Sequence, residues 1–322
     1  MKKINLGTSA LQVPVIGLGC MRITELSEKE IPAYLDKCLE LGISFFDHAD
    51  IYGNGECEKQ FAKGFAQLDA GREQVILQSK CGIRPGVMYD FSKEHILRSV
   101  DEILTRLDTE YLDVLVLHRP DALMEPEEVA AAFDELEQSG KVRYFGVSNH
   151  RPSQIELLKK CVKQEILTDQ LQMSLAFSGM IASGMEVNMA TEGGIDRDGS
   201  VLDYCRLHDI TVQTWSPFQK GGWRGTFIGS EEYPQLNKLL NEFAEKYGAT
   251  PTGIASAWIL RHPAKMQLIA GTMNPTRIEE IAKAADITLE REEWYRLYLA
   301  AGHILPSVSY THLRAHETAA NL

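Results

Sequence analysis

Short apolar runs and amphipathic stretches take turns along the chain, a rhythm that predicts strands alternating with helices. Strand-like runs fall at residues 15–18, 43–46, 75–78, 114–117, 142–147, 169–173, 210–214 and 267–270. The run at 114–117 has no polar alternation, as a parallel strand covered on both faces requires. Between the runs, apolar residues recur at helical spacing. Ile96, Val100, Ile103 with Leu104, and Leu107 form one face, and Ile31, Leu35, Cys38 and Leu39 form another. Helix starts carry chemical marks: Ser27 with Glu30 and Ser153 with Glu156 have capping-box spacing, and Thr250-Pro251 and Asn274-Pro275 set a cap before a first-turn proline.

Eight strands alternating with helices fit a closed barrel or a doubly wound open sheet. The count of eight favours an α/β fold of the (β/α)8 TIM-barrel type. No GxGxxG follows the first strand, which weakens the open-sheet reading. A single domain over residues 1–306 is expected, since no linker divides it. Residues 178–199 and 219–233 read as long loops after the sixth and seventh strands, the second carrying Gly221, Gly222, Trp223 and Gly225. Residues 307–322 lose the apolar period and read as a non-native tail outside the domain.

Composition removes several functions. The 322 residues carry a formal net charge of -12, which disfavours a nucleic-acid partner because no basic cluster offsets it. The six cysteines are scattered without metal-ligand spacing, and no metal site is expected. No apolar run approaches the roughly 20 residues of a membrane span, so a cytoplasmic protein without membrane attachment is expected. The oligomeric state is not legible in the pattern.

Reactive residues sit at or just beyond the C-terminal ends of the predicted strands: Asp47 and Tyr52 after the second, Lys80 after the third, His118 after the fourth, Ser148-Asn149 after the fifth. Gln170 lies in the sixth, Trp215 follows the seventh, and Gly271-Thr272 the eighth. In a barrel these ends converge on one face, where such folds build their sites. Singly, Asp47 is an ordinary turn residue, Tyr52 a loop aromatic and Lys80 a surface charge. The series is what carries weight.

The segments Asp47-His48-Ala49-Asp50-Ile51-Tyr52-Gly53, Ser79-Lys80, Leu117-His118-Arg119-Pro120-Asp121 and Gly146-Val147-Ser148-Asn149 resemble the aldo-keto reductase superfamily, its bacterial branch in particular. The resemblance runs from about Ile4 to Pro306 and implies a barrel plugged by an N-terminal β-hairpin, at residues 4–6 and 11–13, with a C-terminal helix. It implies a catalytic tetrad at Asp47, Tyr52, Lys80 and His118. Carbonyl reduction needs hydride at carbon and a proton for the growing alkoxide. A phenol of pKa about 10 keeps its proton at neutral pH. A neighbouring Lys80 ammonium, oriented by Asp47, would ease its release, and His118 would hydrogen-bond the carbonyl oxygen.

The resemblance also implies a nicotinamide cofactor, NADPH with NADH as the alternative. Ser148, Asn149 and Gln170 would hold the carboxamide, Trp215 would stack on the ring, and Ser216, Pro217 and Phe218 would begin a loop over the pyrophosphate. Gly271, Thr272 and Arg277 match the segment reading the 2′-phosphate, and Glu280 matches the adenine contact; lysine is common in relatives where Gly271 stands. Met21, Met88, Tyr89, Phe218 and Trp223 are the expected substrate walls, suited to a small-molecule aldehyde or ketone. Two other readings stand beside the reductase: a cofactor-binding regulatory subunit like potassium-channel β subunits, and a Schiff-base lyase using Lys80.

Overall fold

A computed structural model describes residues 1–222 and 224–306. It opens with an antiparallel hairpin of β1 (Lys3–Asn5) and β2 (Gln12–Pro14). Next come β3 (Ile16–Gly19), β4 (Phe45–Asp47) and β5 (Ile76–Cys81), a small antiparallel hairpin of β6 (Ile83–Arg84) and β7 (Met88–Tyr89), then β8 (Leu112–Leu117) and β9 (Val142–Ser148). The last strands are β10 (Ile166–Gln172), β11 (Thr211–Trp215) and β12 (Gln267–Ala270). Leaving out the two hairpins, eight parallel strands close in the order β3-β4-β5-β8-β9-β10-β11-β12 and back to β3. This is a (β/α)8 TIM barrel.

Helices return the chain between strands: α1 (Glu30–Glu40), α2 (Glu56–Phe65), α3 (Lys93–Leu107), α4 (Pro126–Gln138) and α5 (Pro152–Lys159). After β10 come α6 (Gly179–Met185) and α7 (Val201–Leu207), and after β11 come α8 (Pro234–Tyr247) and α9 (Pro251–Leu260). The chain ends in α10 (Pro275–Lys283) and the C-terminal α11 (Arg291–Ala300). That last helix is docked by Trp294, which stacks on Trp258 of α9 at 4.8 Å, each indole N–H donating to the other's backbone carbonyl.

The unalternating β8 shows why the sequence pattern takes the form it does. Val114 and Val116 point into a small inner cluster with Phe45, Ile269, Leu167 and the hairpin residues Leu6 and Val13, while Leu115 and Leu117 face the larger core under the helices. Both faces are dry, so both are apolar. The hairpin closes the N-terminal end of the barrel, as expected, with each three-residue strand shifted one residue away from the turn. Gly7 in its turn adopts φ +55, and a Cβ there would stand 2.6 Å from the Leu167 carbonyl oxygen.

Several boundaries differ from the expectations. β10 begins at Ile166 rather than 169, because the polar Thr168 interrupts the apolar run although it is buried; its hydroxyl donates to the Thr211 carbonyl at 2.7 Å. α1 starts at Glu30 itself, with Glu30 Oε2 accepting from the Ser27 amide and hydroxyl. Ser153 lies inside the first turn of α5 rather than at its cap; Pro152 leads the helix, and Gln154 accepts from the Arg151 amide at 2.9 Å. Thr250 and Asn274 cap as expected, accepting from the Gly253 and Arg277 amides. The long loop expected at 178–199 contains α6. Trp223 and the tail 307–322 lie outside the described residues.

Candidate active site

The C-terminal strand ends open into a cavity of about 800 Å³. Tyr52 reaches it from the turn after β4, where Gly53 and Asn54 take left-handed φ values of 56 and 54 and fold the chain sharply into α2. Glycine adopts this conformation at little cost, and asparagine tolerates it better than most residues. Lys80, on β5, is fully buried. Its ammonium contacts both Asp47 carboxylate oxygens, at 2.7 and 2.8 Å, donates to the His48 carbonyl at 2.8 Å and to the Tyr52 hydroxyl at 3.3 Å. His118, just past β8, sets its ring edge-on to Tyr52 at 5.9 Å between centres. The four residues singled out from the sequence therefore meet, with Asp47, Tyr52 and His118 on the cavity wall and Lys80 behind them.

Burial by itself would lower the Lys80 pKa. Asp47, and after it Tyr52, outweigh burial and hold the ammonium above the ordinary lysine value. Tyr52 is pushed up from the ordinary phenol value by burial first, with Lys80 pulling against that and Asp47 reinforcing it. The expected influence of the ammonium is present, but the net direction is upward, so the phenol retains its proton. Burial, together with the charges of Lys80 and Arg119, drives His118 well below the ordinary histidine value, leaving a neutral ring. His48 is also neutral, pushed down to about 3 by burial and Lys80, and it packs edge-on against Phe61 at 4.6 Å.

Beneath the site runs a glutamine network that the sequence reading missed. Asp47 Oδ1 accepts from Gln78 at 2.7 Å and from Gln170 at 3.0 Å. Both amides also donate to Gln213 Oε1; Gln213 donates to Gln78 and Gln267, and Gln267 donates to the Pro14 carbonyl of the hairpin. The signal was there: Gln78, Gln213 and Gln267 are polar residues that fall inside the strand-like runs at 75–78, 210–214 and 267–270. A buried polar side chain without partners is costly, so such positions imply a connected network.

The expected nicotinamide residues gather on the far wall. Ser148 donates to the Gln170 carbonyl at 2.8 Å, Asn149 to Ser148 at 2.7 Å, and Trp215 to Asn149 Oδ1 at 3.2 Å. Asn149 and Ser216 have positive φ, 59 and 51. Two non-glycine residues in this region on one cavity rim mark a site whose shape is held against local preference. Gln170 donates through its amide nitrogen to Asp47 and Gln213, so its amide oxygen faces ligand chemistry as an acceptor. Pro217, Phe218, Gly271, Thr272 and Arg277 also line the cavity. Arg22, which was not singled out, lines it too; its Nη2 stands 4.0 Å from where a Cβ on Gly271 would lie. The donors, the acceptor and the two guanidiniums fit a carboxamide at one end and phosphates at the other.

The remaining candidates are placed less centrally. Met21 and Phe218 line the cavity; Met88 and Tyr89 sit on β7, 44% and 46% exposed, and are not among its lining residues. Ile83 on the paired strand β6 supplies the apolar wall instead. Glu280 lies on α10, also outside the lining set. No helix among the described residues is long and apolar enough to cross a membrane.

Residues 15–298 match the family model described as aldo/keto reductase family. The chain is 33% identical over 319 residues to an uncharacterized oxidoreductase, YcsN, of Bacillus subtilis, covering 95% of this chain and all of the relative. It is 32% identical to a 6-dehydroglucose reductase of Agrobacterium fabrum, covering 94% and 98% of the two chains. Among solved structures, a thermostable aldo-keto reductase, Tm1743, crystallised with the inhibitor epalrestat, superposes with a TM-score of 0.74 at 27% identity, covering 93% of this chain and all of that one.

Proposed function

The chain belongs to the aldo/keto reductase family and is an NAD(P)H-dependent oxidoreductase of that type, and from that premise we propose that it reduces aldehydes or ketones to alcohols with NADPH, Tyr52 serving as general acid. The observation that carries this reading is the Tyr52 hydroxyl 3.3 Å from a buried ammonium that is itself neutralised by Asp47. The cofactor, when bound, supplies hydride to the carbonyl carbon. The chain's own residues do the rest. Ser148, Asn149 and Gln170 hold the carboxamide and Trp215 supports the ring. Ser216, Pro217 and Phe218 cover the phosphates, and Arg22 adds a cation where Gly271 carries none. Thr272 and Arg277 receive the 2′-phosphate, which favours NADPH over NADH, and Glu280 meets the adenine.

Tyr52 donates its proton to the substrate oxygen as negative charge grows there, and Lys80 stabilises the phenolate left behind. His118 is neutral and has one ring N–H to give the same oxygen. An ammonium held charged by Asp47 is a poor Schiff-base nucleophile, which disfavours the lyase. A protein of this kind would act in the cytoplasm on small diffusible carbonyls.

The test is an NADPH-oxidation screen over aldehydes, ketones and sugar aldehydes, the last because one relative is named a 6-dehydroglucose reductase. Turnover lost in Tyr52→Phe, with NADPH affinity kept within about threefold, is the expected result, since general acid catalysis is worth roughly a hundred- to ten-thousandfold. Tight NADPH binding without turnover on any compound would favour the regulatory-subunit reading. Equal efficiency with NADH would overturn the cofactor preference.

A further inference from the structure

The cavity wall carries three guanidiniums, Arg22, Arg119 and Arg277, against one carboxylate, Asp47, which Lys80 already neutralises. Arg22 and Arg277 accompany Gly271 and Thr272 at the end assigned above to phosphates. Arg119 belongs to the opposite end. It follows His118 directly, and its guanidinium lies 5.8 Å from the centre of the Trp215 ring. It takes part in none of the hydrogen bonds or ion pairs among the described residues, although this chain has 45 acidic residues and pairs many of its other cations. Its side chain is half-buried, where a cation without an ionic partner gives up part of its hydration with only the Trp215 ring in return. The walls beside it, Met21, Ile51, Ile83 and Phe218, offer no acceptor charge.

We propose that Arg119 forms an anion subsite: the carbonyl substrate carries a carboxylate or a phosphate a few bonds from its C=O, and the Arg119 fork holds that group while the carbonyl meets Tyr52 and His118. The proposal rests on the reductase reading and extends it to substrate class. A planar guanidinium offers paired N–H donors matched to either anion. Proximity to His118 limits the length between the two groups, so short oxo acids and phosphorylated short aldehydes fit, whereas long uncharged ketones leave the cation stranded.

The experiment compares matched pairs by NADPH oxidation: succinic semialdehyde with butanal, and glyceraldehyde 3-phosphate with glyceraldehyde. Charge-assisted hydrogen bonds imply that the native chain prefers at least one anionic member by about tenfold or more in kcat/KM. The pair showing the preference tells carboxylate from phosphate. Arg119→Met should erase it, chiefly through KM, while Arg119→Lys keeps part of it; added salt should weaken only the anionic member. Equal kcat/KM within both pairs in the native chain would overturn the subsite. So would an Arg119→Met variant, shown folded by circular dichroism, that slows charged and neutral members alike, since Arg119 would then only support Trp215. Failure to oxidise NADPH with all four compounds would overturn the subsite, and failure that extended to the ketones and sugar aldehydes of the wider screen would sink the reductase reading as well.

Discussion

The Lys80 ammonium donates to the Tyr52 hydroxyl at 3.3 Å, and of the two only Tyr52 lines the cavity. Because burial lifts the phenol above its ordinary value, Tyr52 is protonated throughout the neutral range. The proposed reduction needs the protonated form, so kcat/KM should stay level through neutral pH and fall only above the ordinary phenol pKa of about 10. Lys80→Met removes the influence that lowers the phenol's pKa. It should cut turnover by roughly a hundredfold or more and move any remaining alkaline limb upward. A pH–rate profile whose limb moved downward in that variant would contradict the arrangement.

Asp47 and Lys80 should also report on stability. Removing one member of a buried pair strands the other, at a cost of about 3–5 kcal/mol. Asp47→Asn and Lys80→Met should each approach that figure in urea denaturation. The double variant should cost clearly less than the sum of the two, because no uncompensated charge remains. Strict additivity would mean that the two charges do not depend on one another.

Asp169 gives a pH dependence of opposite sense to that of His48. Its carboxyl is buried on β10 and is pushed up to about 8 by burial, with the nearby His150 and Asn149 amides only partly opposing. Between the ordinary value of 3.8 and about 8 the folded chain binds more protons than the unfolded one, so stability falls as pH rises through that window. Asp169→Asn should therefore raise Tm at pH 8 and leave it nearly unchanged at pH 4. His48, pushed down to about 3, acts the other way: its contribution is lost as pH falls from 6.5 toward 3.

Gly7→Ala tests the hairpin. The new methyl would meet the Leu167 carbonyl at 2.6 Å in a backbone already at φ +55, so a loss of roughly 1–3 kcal/mol is expected. Activity per folded molecule should hold, because the hairpin closes the end of the barrel away from Tyr52. Thermal unfolding and specific activity, measured together, separate the two effects.

The barrel and the meeting of Asp47, Tyr52, Lys80 and His118 were legible because each reactive residue ends a dry strand, and strand ends of a barrel converge. The start of β10 was not, since Thr168 looks like a loop residue until its burial is known. Ser153 looked like a cap, but Pro152 claimed the first helical turn. Met88 and Tyr89 were read as cavity walls from their position after β5; the β6–β7 hairpin turns them outward and brings Ile83 in. The direction of the Tyr52 shift depends on how far burial outweighs a neighbouring cation, and no spacing along the chain encodes that balance.

The glutamines beneath Asp47 carry a further consequence. The Pro14 carbonyl can only accept, so Gln267 must present its nitrogen there and its oxygen to Gln213. Asp47, as a carboxylate, can likewise only accept, which fixes Gln78 and Gln170 nitrogen-first. Every amide between is thereby oriented by two termini of the same polarity, and one reversed anywhere would set oxygen against oxygen. How the Asp47 carboxylate is solvated is thus decided collectively, and in part by a backbone carbonyl at the other end of the barrel.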